Sequence, residues 1–152
     1  MQRGRPLVEI PDEGVIVLVA TAVLNGGKVL VVREEESPYH QRWVLPQGYV
    51  RNNETLADGA RREVREELGI EVAILRPIGT YEDIVKEKAS TVHYVIVCFL
   101  GEPSADATIT STAEAIDSAW IDPADGLNEA PKVVQQILKD IAKIVKGGRK
   151  PK

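Results

Sequence analysis

Gly48–Ile70 reads GYVRNNETLADGARREVREELGI, and the interleaving of its charged and apolar residues decides the fold. Glu54 and Thr55 open a helical stretch in which Leu56, Ala60, Val64 and Leu68 recur every fourth residue, the stripe of a helix with one face on a core. Gly69 follows as a natural C-terminal cap. On such a helix Glu63, Glu66 and Glu67 stand at i, i+3 and i+4, so their carboxylates project from one side as neighbours. Three anions this close weaken a helix unless a cation or basic partners compensate. Mg²⁺ takes oxygen ligands and usually retains waters, leaving coordination positions for phosphate oxygens. Arg62 and Arg65 share these turns and can pair with Glu54, Glu66 or another acid. Taken alone, residues 61–68 favour the blander reading, a solvated helix face laced with exposed ion pairs.

Outward from this segment the pattern turns to strands. Val15–Leu24 and Lys28–Arg33 are β-branched runs separated by Asn25-Gly26-Gly27, which predicts a β-hairpin. Trp43-Val44-Leu45 is a short extended piece, and Pro46-Gln47-Gly48 is expected to break any regular element. Downstream, strand-like stretches fall at Ile70–Leu75, Ile78–Tyr81, Thr91–Leu100 and Ala115–Ile121. Pro131–Val145 closes the chain as an amphipathic helix, with Val133, Val134, Ile137, Leu138, Ile141 and Val145 on its apolar side. This order implies a mixed sheet covered by helices. One domain over residues 1–146 is expected, followed by a frayed basic tail at 147–152.

The wider spacing separates the two readings of the glutamate helix. Gly48, five residues, Glu54, seven residues, Arg62-Glu63-Val64, one residue, Glu66-Glu67, one residue, Gly69-Ile70 resembles without departure the Nudix box, G-x5-E-x7-R-E-U-x-E-E-x-G-U, where U is a bulky aliphatic residue. The resemblance implies a Nudix α/β/α sandwich, a mixed β-sheet between helices, with the box as loop–helix–loop. It implies Mg²⁺, with Mn²⁺ as a substitute, bound by Glu63, Glu66, Glu67 and the carbonyl of Gly48. It also implies a structural ion pair between Glu54 and Arg62, and Gly69 as the helix end. The implied reaction is attack of water on phosphorus in a diphosphate linkage of a nucleotide-like substrate, with Glu66 or Glu67 sharing in proton transfer. Some members take the base from a downstream loop, where Glu114 is the best-placed acid; Asp117, Glu82, Asp83 and Glu87 rank below it.

Arg33, Arg42, Lys86 and Lys88 are candidates to meet phosphate oxygens, the last two read as lying in a loop after Tyr81. Tyr39, Trp43, Tyr49 and Tyr81 are candidates to stack on a base, with Trp43 equally credible as a core anchor. His40 and His93 make no convincing metal pair. Pro46-Gln47-Gly48 resembles members acting on dinucleoside polyphosphates or RNA 5′ ends, but the downstream proline or tyrosine spacing that family signatures associate with ADP-ribose-type substrates or diadenosine polyphosphates is not found, and nucleoside triphosphates and nucleotide sugars stay open. The net charge of −4 gives no global attraction for nucleic acid or an anionic membrane, so the expected partner is a small nucleotide or derivative. No apolar run reaches the length of a membrane span and no signal-peptide core follows Met1, which points to a cytoplasmic protein, with a homodimer open. Two other readings compete: an isopentenyl-diphosphate-isomerase-like enzyme, and a noncatalytic nucleotide-sensing module. The first needs a reactive cysteine, whereas lone Cys98 lies in an apolar run; the second commonly lacks box glutamates that are all present here.

Overall fold

The structure is a computed structural model, and it describes residues 14–34, 39, 42–87, 90–105, 107 and 115–148. Its elements are β1 (Gly14–Asn25), β2 (Lys28–Glu34), β3 (Trp43–Val44), β4 (Gln47–Tyr49), α1 (Leu56–Leu68), β5 (Val72–Glu87), β6 (Ser90–Pro103), β7 (Ala115–Ile121), a 3₁₀ turn (Pro123–Asp125) and α2 (Lys132–Gly148). Among the described residues the strands make one mixed, seven-stranded sheet, in the order β3-β2-β1-β6-β5 with β4 also on β1 and β7 also on β2.

The Gly26-Gly27 turn, with φ of 60° and 81°, closes the β1–β2 hairpin. The hairpin pairs only at its base, Leu24 with Val29 and Asn25 with Lys28. Beyond that β1 runs parallel to β6 on one edge, from Gly14 opposite Val92 to Val23 opposite Gly101. Its other edge takes β4, with Leu18, Val19 and Ala20 opposite Tyr49, Gly48 and Gln47. Residues 46–48 therefore do not simply break the structure. Pro46 contributes its carbonyl to Thr21 N at 3.0 Å, and the next three residues add a strand to the edge that β2 leaves open.

The two strands expected at residues 70–75 and 78–81 are one, β5, paired with β6 from Val72 opposite Pro103 to Glu87 opposite Ser90. Its register shifts between Ile74 and Arg76 and between Pro77 and Gly79. Proline has no N–H for a ladder, and an outer strand tolerates that because its far edge needs no donor. Lys86 consequently stands on a strand, opposite Thr91, and not in a loop.

Side chains alternate between the faces of the sheet, and each face meets one helix. Val19 packs with Ala60 of α1, together with Phe99. Leu18 and Ile96 share a row with Tyr81, whose hydroxyl reaches Asp140 of α2, so this set faces the other helix. Val133, Val134, Ile137, Leu138 and Ile141 bring α2 into that core at 5% exposure or less. Fully burying a side chain of this size contributes about 1.5–3 kcal/mol.

Candidate active site

Helix α1 begins and ends where its capping residues dictate. Thr55 is extended, with φ −70° and ψ 160°, and its Oγ1 accepts from Asp58 N at 3.1 Å. Gly69 is left-handed, with φ 70°, and its N–H donates to the Arg65 carbonyl at 2.9 Å. These caps set which turn of the helix meets the sheet.

On that turn Arg62 is the hub. Its Nε donates to Glu54 Oε2 at 2.6 Å, and its Nη2 to Glu54 Oε1 and the Tyr49 carbonyl, both at 3.0 Å. Its Nη1 donates to Glu63 Oε2 at 3.0 Å and Glu66 Oε1 at 3.2 Å. A guanidinium has five N–H donors, and these five contacts use them all. Burial works against the Arg62 charge, but Glu54 and Glu63 outweigh it and hold the pKa above the ordinary arginine value. The hydrogen bond from Arg62 in turn keeps the Glu54 carboxyl below its usual range, despite partial burial. Glu54 also accepts from Arg51 N at 3.0 Å, so one acid ties the loop to the helix.

Gly48 lies directly under this turn. A Cβ there would collide with the Glu63 carboxylate, so only glycine lets that acid lie on the strand. Glu63 and Glu67 are buried at 6% and 1% exposure, while the Glu66 side chain keeps 23% and reaches Arg51 Nη2 at 3.1 Å. Among the described residues no three of His, Cys, Asp or Glu stand as a ready cage for a cation. Glu63 and Glu66 instead converge on one nitrogen of Arg62.

The residues still suit a hard divalent ion, because every donor in the group is a carboxylate or peptide oxygen. Glu54, Glu63 and Glu66 are ion-paired with the guanidiniums of Arg51 and Arg62, and Glu67 is buried on helix α1.

The other candidate residues are dispersed. Arg33 on β2 lies 5.4 Å from the centre of the Trp43 ring and 3.4 Å from Asp117 Oδ2. The Arg42 Nε donates to the Glu129 carbonyl at 3.1 Å, joining the approach to β3 with the approach to α2. Lys86 is exposed on β5. Tyr81 is 6% exposed and donates to Asp140 Oδ2 at 2.7 Å, on the face away from Gly48, so its ring serves the core instead of stacking on a base. Burial first, then that hydrogen bond, raises its phenol pKa. Glu82 meets His93 at 2.8 Å, and burial, followed by Asp83, raises the Tyr39 phenol. Glu114, His40 and Lys88 lie outside the described residues. Cys98 is fully buried on the α2 side, and burial pushes its thiol up to about 12. Sequence reasoning missed Arg51; its position in the box loop was the available signal, but nothing local says which acid it reaches.

A mixed sheet held between two helices, with an acidic loop–helix–loop latched by one arginine, defines an α/β/α hydrolase scaffold. The family model of the NUDIX domain matches residues 14–141, and the chain belongs to the Nudix hydrolase family. It is 34% identical over 111 residues to the low-salt glycan biosynthesis protein Agl8 of Haloferax volcanii, covering 64% of this chain and 70% of that protein. It is 28% identical over 120 residues to the nucleoside triphosphatase NudI of Escherichia fergusonii, covering 71% of this chain and 82% of that one. Among solved structures, the MutT NUDIX hydrolase from Burkholderia pseudomallei aligns with a TM-score of 0.71 at 20% identity, over 84% of this chain and 98% of that chain. The MutT protein from Methanosarcina mazei Go1 aligns at 0.70 and 24% identity, over 93% and 100%. Among the described residues no helix is long and apolar enough to cross a membrane.

Proposed function

We propose that this chain is a Mg²⁺-dependent pyrophosphohydrolase that cleaves a diphosphate linkage in a small nucleotide or nucleotide derivative, with Mn²⁺ able to replace Mg²⁺. The observation that carries this reading is the gathering of Glu54, Glu63 and Glu66 on Arg62 above Gly48. A divalent ion bound there would neutralise phosphate oxygens and lower the pKa of a bound water. Glu63, Glu66, Glu67 and the Gly48 carbonyl are the groups that would hold it. The Arg62–Glu54 latch keeps the box loop against the helix, so the carboxylates are positioned before substrate arrives. Glu66 has the most solvent access of the three helix acids, so of these ligands it is the one that also shares in proton transfer from the attacking water, while buried Glu67 serves as a ligand. Glu114 is the alternative base. Arg33, seated on Trp43, Arg42, which donates to the Glu129 carbonyl, and Lys86 on β5 are the candidate phosphate contacts.

Nucleoside triphosphates are the favoured substrates, because the relative NudI is named a nucleoside triphosphatase. The glycan biosynthesis protein Agl8 keeps sugar-linked diphosphates in the trial set, and dinucleoside polyphosphates and capped or triphosphorylated RNA 5′ ends complete it. Incubating the protein with each compound, with Mg²⁺ or with a chelator, and identifying products by mass tests the reading. Metal-dependent cleavage of a phosphoanhydride is expected; an intact panel under every metal condition, from a folded protein, would sink it. Buried Cys98 on the far face gives no support to the isomerase reading. Glu67→Gln keeps the shape of the side chain and removes a charge, so kcat should fall by roughly a hundredfold with the melting temperature held within a few degrees. Near-normal turnover in that variant would remove Glu67 from the chemistry.

A further inference from the structure

Glu66 is held by two guanidiniums of unequal exposure. The Arg62 side chain is 6% exposed and has no N–H left to redirect. The Arg51 side chain is 30% exposed and meets Glu66 Oε2 from the box loop at 3.1 Å. Its main chain is anchored independently, since Arg51 N donates to Glu54 Oε1 at 3.0 Å and the Arg51 carbonyl accepts from Glu54 N at 3.3 Å. Asn53, two residues on, is held at φ 64°, a conformation uncommon for a side chain other than glycine, so the loop is shaped to turn here. Position 51 is also one of the unspecified positions of the box spacing, so its charge is a property of this chain and not of the motif.

We infer that Arg51 is an exchangeable counter-ion of the glutamate site: it neutralises Glu66 while no divalent cation is bound, and it turns to the diphosphate oxygens of a substrate when a cation takes Glu66. The inference rests on the proposed reading of the box as a metal site. A cation and a guanidinium on the same carboxylate repel each other, and of the two arginines Arg51 is the more exposed, at 30% against 6%. A released guanidinium beside an anionic linkage finds a better partner there, because its planar fork matches two phosphate oxygens at once. The main-chain anchor on Glu54 keeps the side chain within reach during the exchange.

The test uses Arg51→Gln and Arg51→Lys in the full chain, with thermal melting to show that both fold. Mn²⁺ titration of the protein alone, followed by electron paramagnetic resonance, should show Arg51→Gln binding the ion roughly three- to tenfold more tightly than wild type. With Mg²⁺ present, a methylene-bridged nucleoside triphosphate should bind Arg51→Gln roughly tenfold more weakly, with Arg51→Lys between the two proteins. If wild type takes up Mn²⁺ and Arg51→Gln takes it up no more tightly, the counter-ion role is overturned while the metal site stands. A tighter ion with unchanged analogue affinity overturns the transfer to phosphate. Wild type that takes up no Mn²⁺ overturns the metal-site reading and this inference with it.

Discussion

The two helices lie on opposite faces of one sheet and hold to it by different physics. Helix α2 attaches with Val133, Val134, Ile137, Leu138 and Ile141, and a polar pin from Tyr81 to Asp140 adds to its placement. Helix α1 also buries Ala60, Val64 and Leu68, but Arg62, Glu63 and Glu67 are buried beside them. Taking charges out of water is costly unless they are paired and hydrogen-bonded, and truncating one partner leaves the others uncompensated. The α2 face can therefore be read as the stabilising face, and the α1 face as the one where stability was exchanged for a charged, preorganised site.

Breaking the hub of the polar face should produce the largest effect. Arg62→Ala leaves Glu54 and Glu63 without their shared cation, and urea denaturation should show a loss of about 3–5 kcal/mol, with turnover abolished. A loss under about 1 kcal/mol would mean that the network contributes little beyond exposed ion pairs. On the other face, Leu138→Ala opens a cavity at a site of 0% exposure and should cost about 2–5 kcal/mol, with turnover per folded molecule unchanged. Altered kcat in that variant would show that the two faces are coupled through the sheet.

Acid should separate them more finely. Arg62 holds the Glu54 pKa below its ordinary value of 4.5, so the carboxylate contributes stability that is fully present above pH 4.5 and lost as pH falls through the lowered value. Glu54→Gln should flatten the acid limb of a plot of urea midpoint against pH below that point. An acid limb identical to wild type would place the acid sensitivity elsewhere.

Several elements were legible because local chemistry suffices to form them. The Thr55 cap, the Leu56–Leu68 stripe and the Gly69 stop all lie within one helix. The Gly26-Gly27 turn needs only two residues that accept positive φ. By contrast, residues 46–48 carry strong turn residues, and their strand exists because β1 has a free edge beside them. Strand β5 looks interrupted at Pro77 and Gly79, and pairing with β6 carries it across both. Tyr81 offered an aromatic ring to a base on paper, but its partner Asp140 lies 59 positions away, and Arg42 finds Glu129 at a separation of 87.

By itself the amino-acid order determined the family, the limits of the glutamate helix and the side of it on which three acids stand, since helical periodicity acts over a few residues. Only the tertiary structure decided that Glu63 lies on Gly48, that Arg62 spends every donor on the box, and that Arg51 reaches Glu66. These depend on where the β4 strand and the box loop pass the helix, and long-range packing sets that path.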